Sequence, residues 1–195
     1  MLEFNVEKIN IPLKQHVGGP CQPIVNVGDH VKRGQLVATP NGLGANIHTS
    51  LSGVVEEIND MEIIVKLDKE QTDDYVRLEQ TDDKLQKIKD AGIVGVGGAG
   101  FPTGIKLSAQ IPGGYVIANA AECEPILGHN VKFMEENPEA LVRGLKYIVE
   151  LTGAKEGYIA IKTKYRKAML ALGKACKNEP NISIKILPNM YPAGD

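Results

Sequence analysis

The hydrophobic pattern of this chain changes character once, and the change divides it into two parts. From Ile9 to Leu67 the apolar residues come in short runs broken by turn signals. Pro23-Ile24-Val25-Asn26-Val27 runs into Gly28-Asp29, and Val31-Lys32-Arg33-Gly34 leads to Leu36-Val37-Ala38. Ser52-Gly53 introduces Val54-Val55-Glu56-Glu57-Ile58, and Met61 to Leu67 alternates as a last strand. Many short strands at close spacing predict a small barrel or sandwich.

The later part alternates helix and strand. Leu85 to Lys89 gives one or two helical turns before Gly92, and Tyr115-Val116-Ile117-Ala118 is a short apolar strand. Asn137-Pro138-Glu139 has the N-cap, first-turn proline and early acid of a helix start. Leu141, Leu145, Ile148 and Val149 form its expected stripe, and Gly153 ends it. Gly157 to Ile161 reads as a strand, Tyr165 to Cys176 as a helix with Tyr165, Ala168, Met169 and Leu172 inward, and Ile182 to Leu187 as a strand. Alternating strands and helices predict a parallel sheet with helices on its faces. Asp68 to Asp83 is polar except for Tyr75, Val76 and Leu78. The expected organisation is therefore a domain over 1–70, a linker over 71–83 and a domain over 84–195.

Composition narrows the function classes. The 195 residues are 43% hydrophobic and 24% charged, enough apolar content for real cores. The net charge of −2 makes no electrostatic case for nucleic acid or an anionic membrane surface. No apolar run approaches the ~20 residues needed to span a bilayer. The start, MLEFNVEKIN, lacks the basic and apolar regions of a signal peptide. The expectation is a cytoplasmic protein, peripheral at the cytoplasmic membrane only through partner subunits.

The densest chemical signal is Gly95-Val-Gly-Gly-Ala-Gly-Phe-Pro-Thr-Gly104. Its glycines permit tight turns and close approach of a ligand to the main chain. Phe101-Pro102 places a proline where the first turn of a helix accepts one. A glycine loop opening into a helix presents backbone N–H groups and a positive dipole end to a phosphate, and Lys106 adds a full charge. Gly95, Gly97 and Gly100 also satisfy G-x-G-x-x-G, and Glu122 follows Gly100 by 22 residues, near where a dinucleotide fold carries its ribose carboxylate. By pattern alone the alternative is a glycine-rich turn followed by a solvated acidic loop.

Other candidates are weaker. Cys21, Cys123 and Cys176 are far apart with no C-x-x-C, so iron–sulfur or zinc ligation has no spacing support. His16, His30 and His48 do not pair at ligand spacing, so no metal site is expected and surface or hydrogen-bonded histidines are. VGDHVKRGQ followed by SGVVEEI is the turn pattern of biotinyl and lipoyl carriers, which are barrel-sandwich hybrids. The hairpin between those halves, Thr39 to Asn46, has no lysine to modify. A docking or scaffolding domain remains.

GVGGAGFPTGIKL followed by NAAECEP resembles the flavin domain shared by the RnfC component of the Rnf electron-transport complex and the NADH-oxidising subunit of respiratory complex I. Related proteins are the proline reductase-associated electron-transfer protein and the cobalamin reductase of propanediol-degrading bacteria. PLKQHVGGP, VNVGDHVKRGQLVATP and ANIHTSLSGVV resemble the N-terminal domain of RnfC. The resemblance covers almost the whole chain in the same domain order. It implies a barrel-sandwich hybrid followed by a Rossmann-like parallel α/β flavin domain, incomplete on its C-terminal side.

The resemblance also implies roles. FMN would bind at Gly95, Gly97, Gly98, Lys106, Asn119 and Glu122, while Phe101 and Glu124 would face NADH. No side chain acts as acid or base, because the flavin takes a hydride directly. Full-length relatives carry two 4Fe-4S clusters in a later segment, and partners would be other subunits of an Rnf-type complex or a reductase such as proline reductase. The site is expected to be completed beyond Asp195, leaving these residues inactive by themselves. Ala121 stands where complex I has aspartate, and the final Tyr-Pro-Ala-Gly-Asp is closer to the reductase-associated members. Two other readings stay open: a non-catalytic adaptor that docks a redox partner, and a flavin-dependent corrin reductase.

Overall fold

The computed structural model describes residues 6–96, 99–122, 128–190 and 193–194. By compactness these fall into two units, residues 1–108 and 109–195.

The first unit is built on two antiparallel sheets. One contains β1 (Lys8–Pro12), β3 (His30–Val31), β6 (Gly53–Ile58) and β7 (Glu62–Leu67), in the order β1-β7-β6-β3. The other is β2 (Gln22–Pro23), β4 (Leu36–Thr39) and β5 (Ile47–His48), in the order β2-β4-β5. Alternation sets the inner face: Ile63 and Val65 of β7 and Val55 of β6 are fully buried, whereas Ile64, Val54 and Glu56 are not. A register shift between Val55 and Glu57 carries Ile58 opposite Ile63. Val31, Val37 and Ile47 close the core from the remaining strands.

The stretch expected as a linker lies on the barrel. Val76 N–H donates to the Arg33 carbonyl at 2.8 Å, and the Gln71 amide both accepts from Ser52 N–H and donates to Ser52 C=O. Next comes α1 (Lys84–Asp90), capped by the Asp83 carboxylate, which accepts from Leu85 and Gln86 N–H. After the glycine loop comes a single turn, α2 (Thr103–Lys106). Compactness therefore places α1, the glycine loop and α2 with the barrel, whereas the sequence pattern starts the second domain at residue 84. Pattern alone registers the change of period and not which core a polar segment packs against.

In the second unit β8 (Tyr115–Ala120), β9 (Glu156–Lys162) and β10 (Ile182–Leu187) form a parallel sheet in the order β10-β9-β8. Between β8 and β9 run α3 (His129–Glu136) and α4 (Pro138–Thr152); α5 (Arg166–Ala175) joins β9 to β10. The helix α3 is additional to those predicted, since only Val131 and Met134 of its eight residues pack inward. On α4 Leu145 and Val149 of the expected stripe are buried, Leu141 and Ile148 are half-buried, and Val142 joins the buried line. Asn137 occupies the N-cap without a side-chain hydrogen bond, and Gly153 ends the helix at φ 66°. The sheet is not covered on both faces as expected. Helix residues such as Leu145, Ala168 and Leu172 pack on Ile159 and Ile161, while Tyr115 and Ile117 on the opposite face are 51% and 65% exposed.

Ile159 is fully buried at the middle of the central strand. Ile159→Ala is expected to cost about 2–5 kcal/mol in urea unfolding, from lost transfer energy plus the cavity. His48 supplies a pH test. Burial holds its imidazole below the ordinary value of 6.5. The unfolded chain takes up a proton there first, so this stability is complete above about pH 6.5 and is lost as pH falls toward the folded value. His48→Asn is expected to flatten the fall in melting temperature between pH 7.5 and 5.5; an unchanged slope would assign that fall to other groups.

Candidate functional site

The glycine loop is short of side chains, and contacts at Val94, Gly95, Ala99 and Gly100 hold its described ends. Ahead of it, Val94 bridges Pro102, and Gly95 N–H donates to the Phe101 carbonyl at 2.9 Å. The loop thus closes on itself at its base, and the Gly95 N–H is already spent. What Gly95 offers a ligand is its missing side chain. At the far end Gly100 sits at φ 61°, and a Cβ there would meet Gln15 O and His16 Cα and Cβ at 3.4 Å. Val17 N–H donates to the Ala99 carbonyl at 2.8 Å.

The barrel loop making these contacts is itself pinned. His16 is 7% exposed. Its Nε2 lies 3.1 Å from Ala45 N, which can only donate, so Nε2 accepts and the proton sits on Nδ1, 3.0 Å from the Val17 carbonyl. Cys21 Sγ, whose thiol burial pushes up, lies 3.6 Å from Nε2 and donates to Ala45 C=O at 3.3 Å. His30 instead meets Asp68 at 2.8 Å, and His48 stands on β5. The three histidines therefore have separate surroundings. Between Lys14–Val17 on one side and Val94, Gly95, Ala99 and Gly100 on the other runs an open cleft of about 450 Å³.

Two expectations about the entry to α2 need correction. Pro102 is not in the first turn; it is the N-cap residue, extended at φ −60°, ψ 114°, and fully buried. The helix itself has four residues, too short for a useful dipole, so its positive end is not the source of phosphate affinity. Lys106, at its last position, is exposed with no ion pair among the described residues, and it does not line the 450 Å³ cleft. Phe101 is 42% exposed, its ring open to a partner. Gly97, Gly98 and Glu124 lie outside the described residues.

On the second unit, Asn119 is the penultimate residue of β8 and Glu122 follows its carboxyl end. The Asn119 amide is engaged at both atoms: Oδ1 accepts from Ala121 N–H at 3.0 Å, and Nδ2 donates to Gly194 C=O. It braces the loop after β8 against the segment after β10. Glu122 accepts from Asn130 Nδ2 at 2.9 Å, and its carbonyl accepts from Tyr165 O–H at 3.2 Å. A residue not foreseen from sequence is Lys162, 4% exposed at the carboxyl end of β9, where open α/β sheets take ligands. A lysine closing an apolar strand run was its only signal. The missed residue in the first unit is Lys14, within the PLKQHVGGP segment.

A small antiparallel barrel bearing a glycine-walled cleft, followed by a parallel α/β unit, defines an all-β plus α/β protein. The chain belongs to the Nuo51 FMN-binding domain family, whose model matches residues 88–195. Residues 4–79 match the RnfC barrel sandwich hybrid domain. The chain is 36% identical over 209 residues, 96% of its length, to a component of the Na(+)-translocating ferredoxin:NAD(+) oxidoreductase complex of Acetobacterium woodii, covering 47% of that protein. It is 46% identical over 114 residues to cobalamin reductase PduS of Salmonella typhimurium, which is 58% of this chain and 24% of that one. A solved NAD+-reducing [NiFe]-hydrogenase in the air-oxidized state aligns at 28% identity, over 53% of this chain and 20% of that one, with a TM-score of 0.45. The chain thus spans about half or less of these relatives. No helix among the described residues is long and apolar enough to cross a membrane.

Gly100→Val is expected to destabilise the first unit by about 1–2 kcal/mol or more, since a β-branched residue is strained at positive φ. Gly194→Ala is expected to disturb the second unit, because its Cβ would lie 2.5 Å from Ala121 Cβ. Amide hydrogen exchange on either side of the substitutions checks both: protection should fall near residues 14–17 in the first variant and near 119–122 in the second.

Proposed function

We infer that this chain is the flavin-holding part of an electron-transfer protein that oxidises NADH through FMN, toward iron–sulfur clusters outside residues 1–195. The observation that carries this reading is the match of residues 88–195 to an FMN-binding domain with the glycine loop inside it. The likeness to a component of a ferredoxin:NAD(+) oxidoreductase complex supports NADH as donor and other subunits of such a complex as partners. A peripheral position at a membrane, held by those partners, follows from the same likeness. The parallel sheet, completed as a Rossmann-like domain, is the fold this reading takes.

The residues present fit such a ligand. The glycine-walled cleft of about 450 Å³ falls within the roughly 300–1,000 Å³ of small-molecule sites. Its wall at Gly95 has no side chain to exclude a ring or phosphate, with the nearest atoms to a Cβ at 3.6 Å or more. Lys106 keeps an exposed ammonium for a phosphate. Gly95, Gly97, Gly98, Lys106, Asn119 and Glu122 are assigned to FMN on the family resemblance. Asn119 works by holding the Ala121–Glu122 backbone, since its amide is engaged there. Phe101 is assigned to the nicotinamide nucleotide by stacking and Glu124 by hydrogen bonding to ribose. FMN, when bound, accepts a hydride and releases electrons singly; the chain contributes placement and electrostatics.

A flavin-dependent corrin reductase keeps the same site and changes only the acceptor. The 46% identity to a cobalamin reductase favours keeping it as the second reading.

Gly97→Val and Gly98→Val are expected to abolish flavin binding, and unchanged flavin content in both would overturn the loop assignment. Lys106→Ala should weaken FMN retention. Glu124→Ala should leave flavin bound and raise KM for NADH; colourless Glu124→Ala protein would move Glu124 to the flavin site.

A further inference from the structure

The cleft beside the glycine loop is made partly by the barrel. Its barrel wall is the Lys14–Val17 loop, and that loop contributes the one charged side chain lining it. Several of the other polar groups there are already committed within the protein. Gln15 Nε2 donates to the Pro12 carbonyl at 3.0 Å. Both ring nitrogens of His16 are used, Nδ1 toward Val17 C=O and Nε2 from Ala45 N–H. Gly95 N–H is spent on Phe101 C=O, and the Ala99 carbonyl on Val17 N–H. The Lys14 ammonium, with three donors, has no ion pair among the described residues. The charged side chain that this cleft offers is a cation without an ion pair among the described residues, which favours an anion.

We propose that Lys14 is a phosphate-binding residue of the nucleotide site, supplied to the glycine loop by the barrel. This rests on the flavin reading above and adds to it a binding role for the N-terminal domain. Phosphate is the anion that a glycine-walled cleft accommodates, because its oxygens must come close to main chain where a Cβ would stand in the way. The group comes either from FMN or from the NADH pyrophosphate. His16 fixes the position of Lys14 relative to the loop, since its ring ties residues 16 and 17 to Ala45 and its Cβ packs against Gly100.

The test compares ligands with and without phosphate. FMN, riboflavin and NADH are titrated separately into the purified full-length protein and into its Lys14→Gln, Lys14→Arg and Gly97→Val variants, with flavin or nicotinamide fluorescence as readout. Lys14 is exposed, so Lys14→Gln should keep the melting temperature. Lys14→Gln is expected to weaken FMN about fivefold to tenfold at low salt, as for a partly solvated charge partner, and to leave riboflavin unchanged. Lys14→Arg should retain FMN. A comparable loss for NADH with FMN unchanged supports the proposal with the dinucleotide as the source of phosphate. Unchanged FMN and NADH affinity in Lys14→Gln, with flavin lost in Gly97→Val, overturns the Lys14 proposal and leaves the flavin reading standing. No binding of FMN or NADH by the unsubstituted protein, or full flavin binding by Gly97→Val, overturns both.

Discussion

The hydrogen bond from Val17 N–H to the Ala99 carbonyl joins the least self-supporting segment of the chain to a domain with a closed apolar core. Gly95 to Gly100 has four glycines among six residues, so ordering it costs more backbone entropy than ordering any ordinary segment. It has almost no side chain with which to recover that cost. The compensation comes from outside the loop: the bridge between Val94 and Pro102 at its base, and the His16 backbone and Cβ against Gly100 at its far end. His16 is held in turn by Ala45 in the hairpin between β4 and β5. A carrier domain would present its modified lysine on that hairpin. Here the hairpin keeps residues 41–43 exposed, while Asn46 Nδ2 donates to Asp90 C=O at the end of α1. The barrel thus serves as the rigid support for a loop that must stay bare to admit a ligand.

A similar economy governs the loop after β8. Ala121 and Gly194 occupy one small volume, for a Cβ on Gly194 would lie 2.5 Å from that of Ala121 and 3.4 Å from Asn119 Oδ1. Position 121 cannot grow without moving the segment that Asn119 clasps. Ala121 is therefore coupled to packing against Gly194, and the clasp holds the backbone ahead of Glu122.

How much of this could be read from the chain depended on whether each element is specified locally. The strands of both sheets were legible because Val55, Ile63 and Val65, or Ile159 and Ile161, alternate with polar or exposed positions. The barrel-sandwich hybrid and flavin domains were legible through the family resemblance that their motifs carry, and the family matches agree with both. What failed was set by tertiary contact. The polar segment from Asp68 lies on the barrel through main-chain and amide bonds that leave no apolar period. α3 is a helix with only one buried residue, Met134, too thin a stripe to detect. The glycine motif correctly marked a loop but overstated the helix after it, because G-x-G-x-x-G is usually read with a long helix behind it and α2 is one turn.

That short helix changes which physical term must hold a phosphate. In a full dinucleotide motif the helix end supplies several free N–H groups and about half a unit of positive charge. Here Thr103 N–H is donated to the Ile93 carbonyl and Gly95 N–H to Phe101, so the main chain at the loop's base is committed to its own shape. Charge must come from side chains instead. A protein of net charge −2 offers no general positive field, so on the flavin reading proposed above localised lysines would carry the attraction. Lys106 stands at the end of the one-turn helix and Lys14 on the barrel loop that grips the glycine segment. On the reading proposed above, the barrel loop that bonds to Ala99 also brings a cation to the cleft beside Gly95 and Gly100.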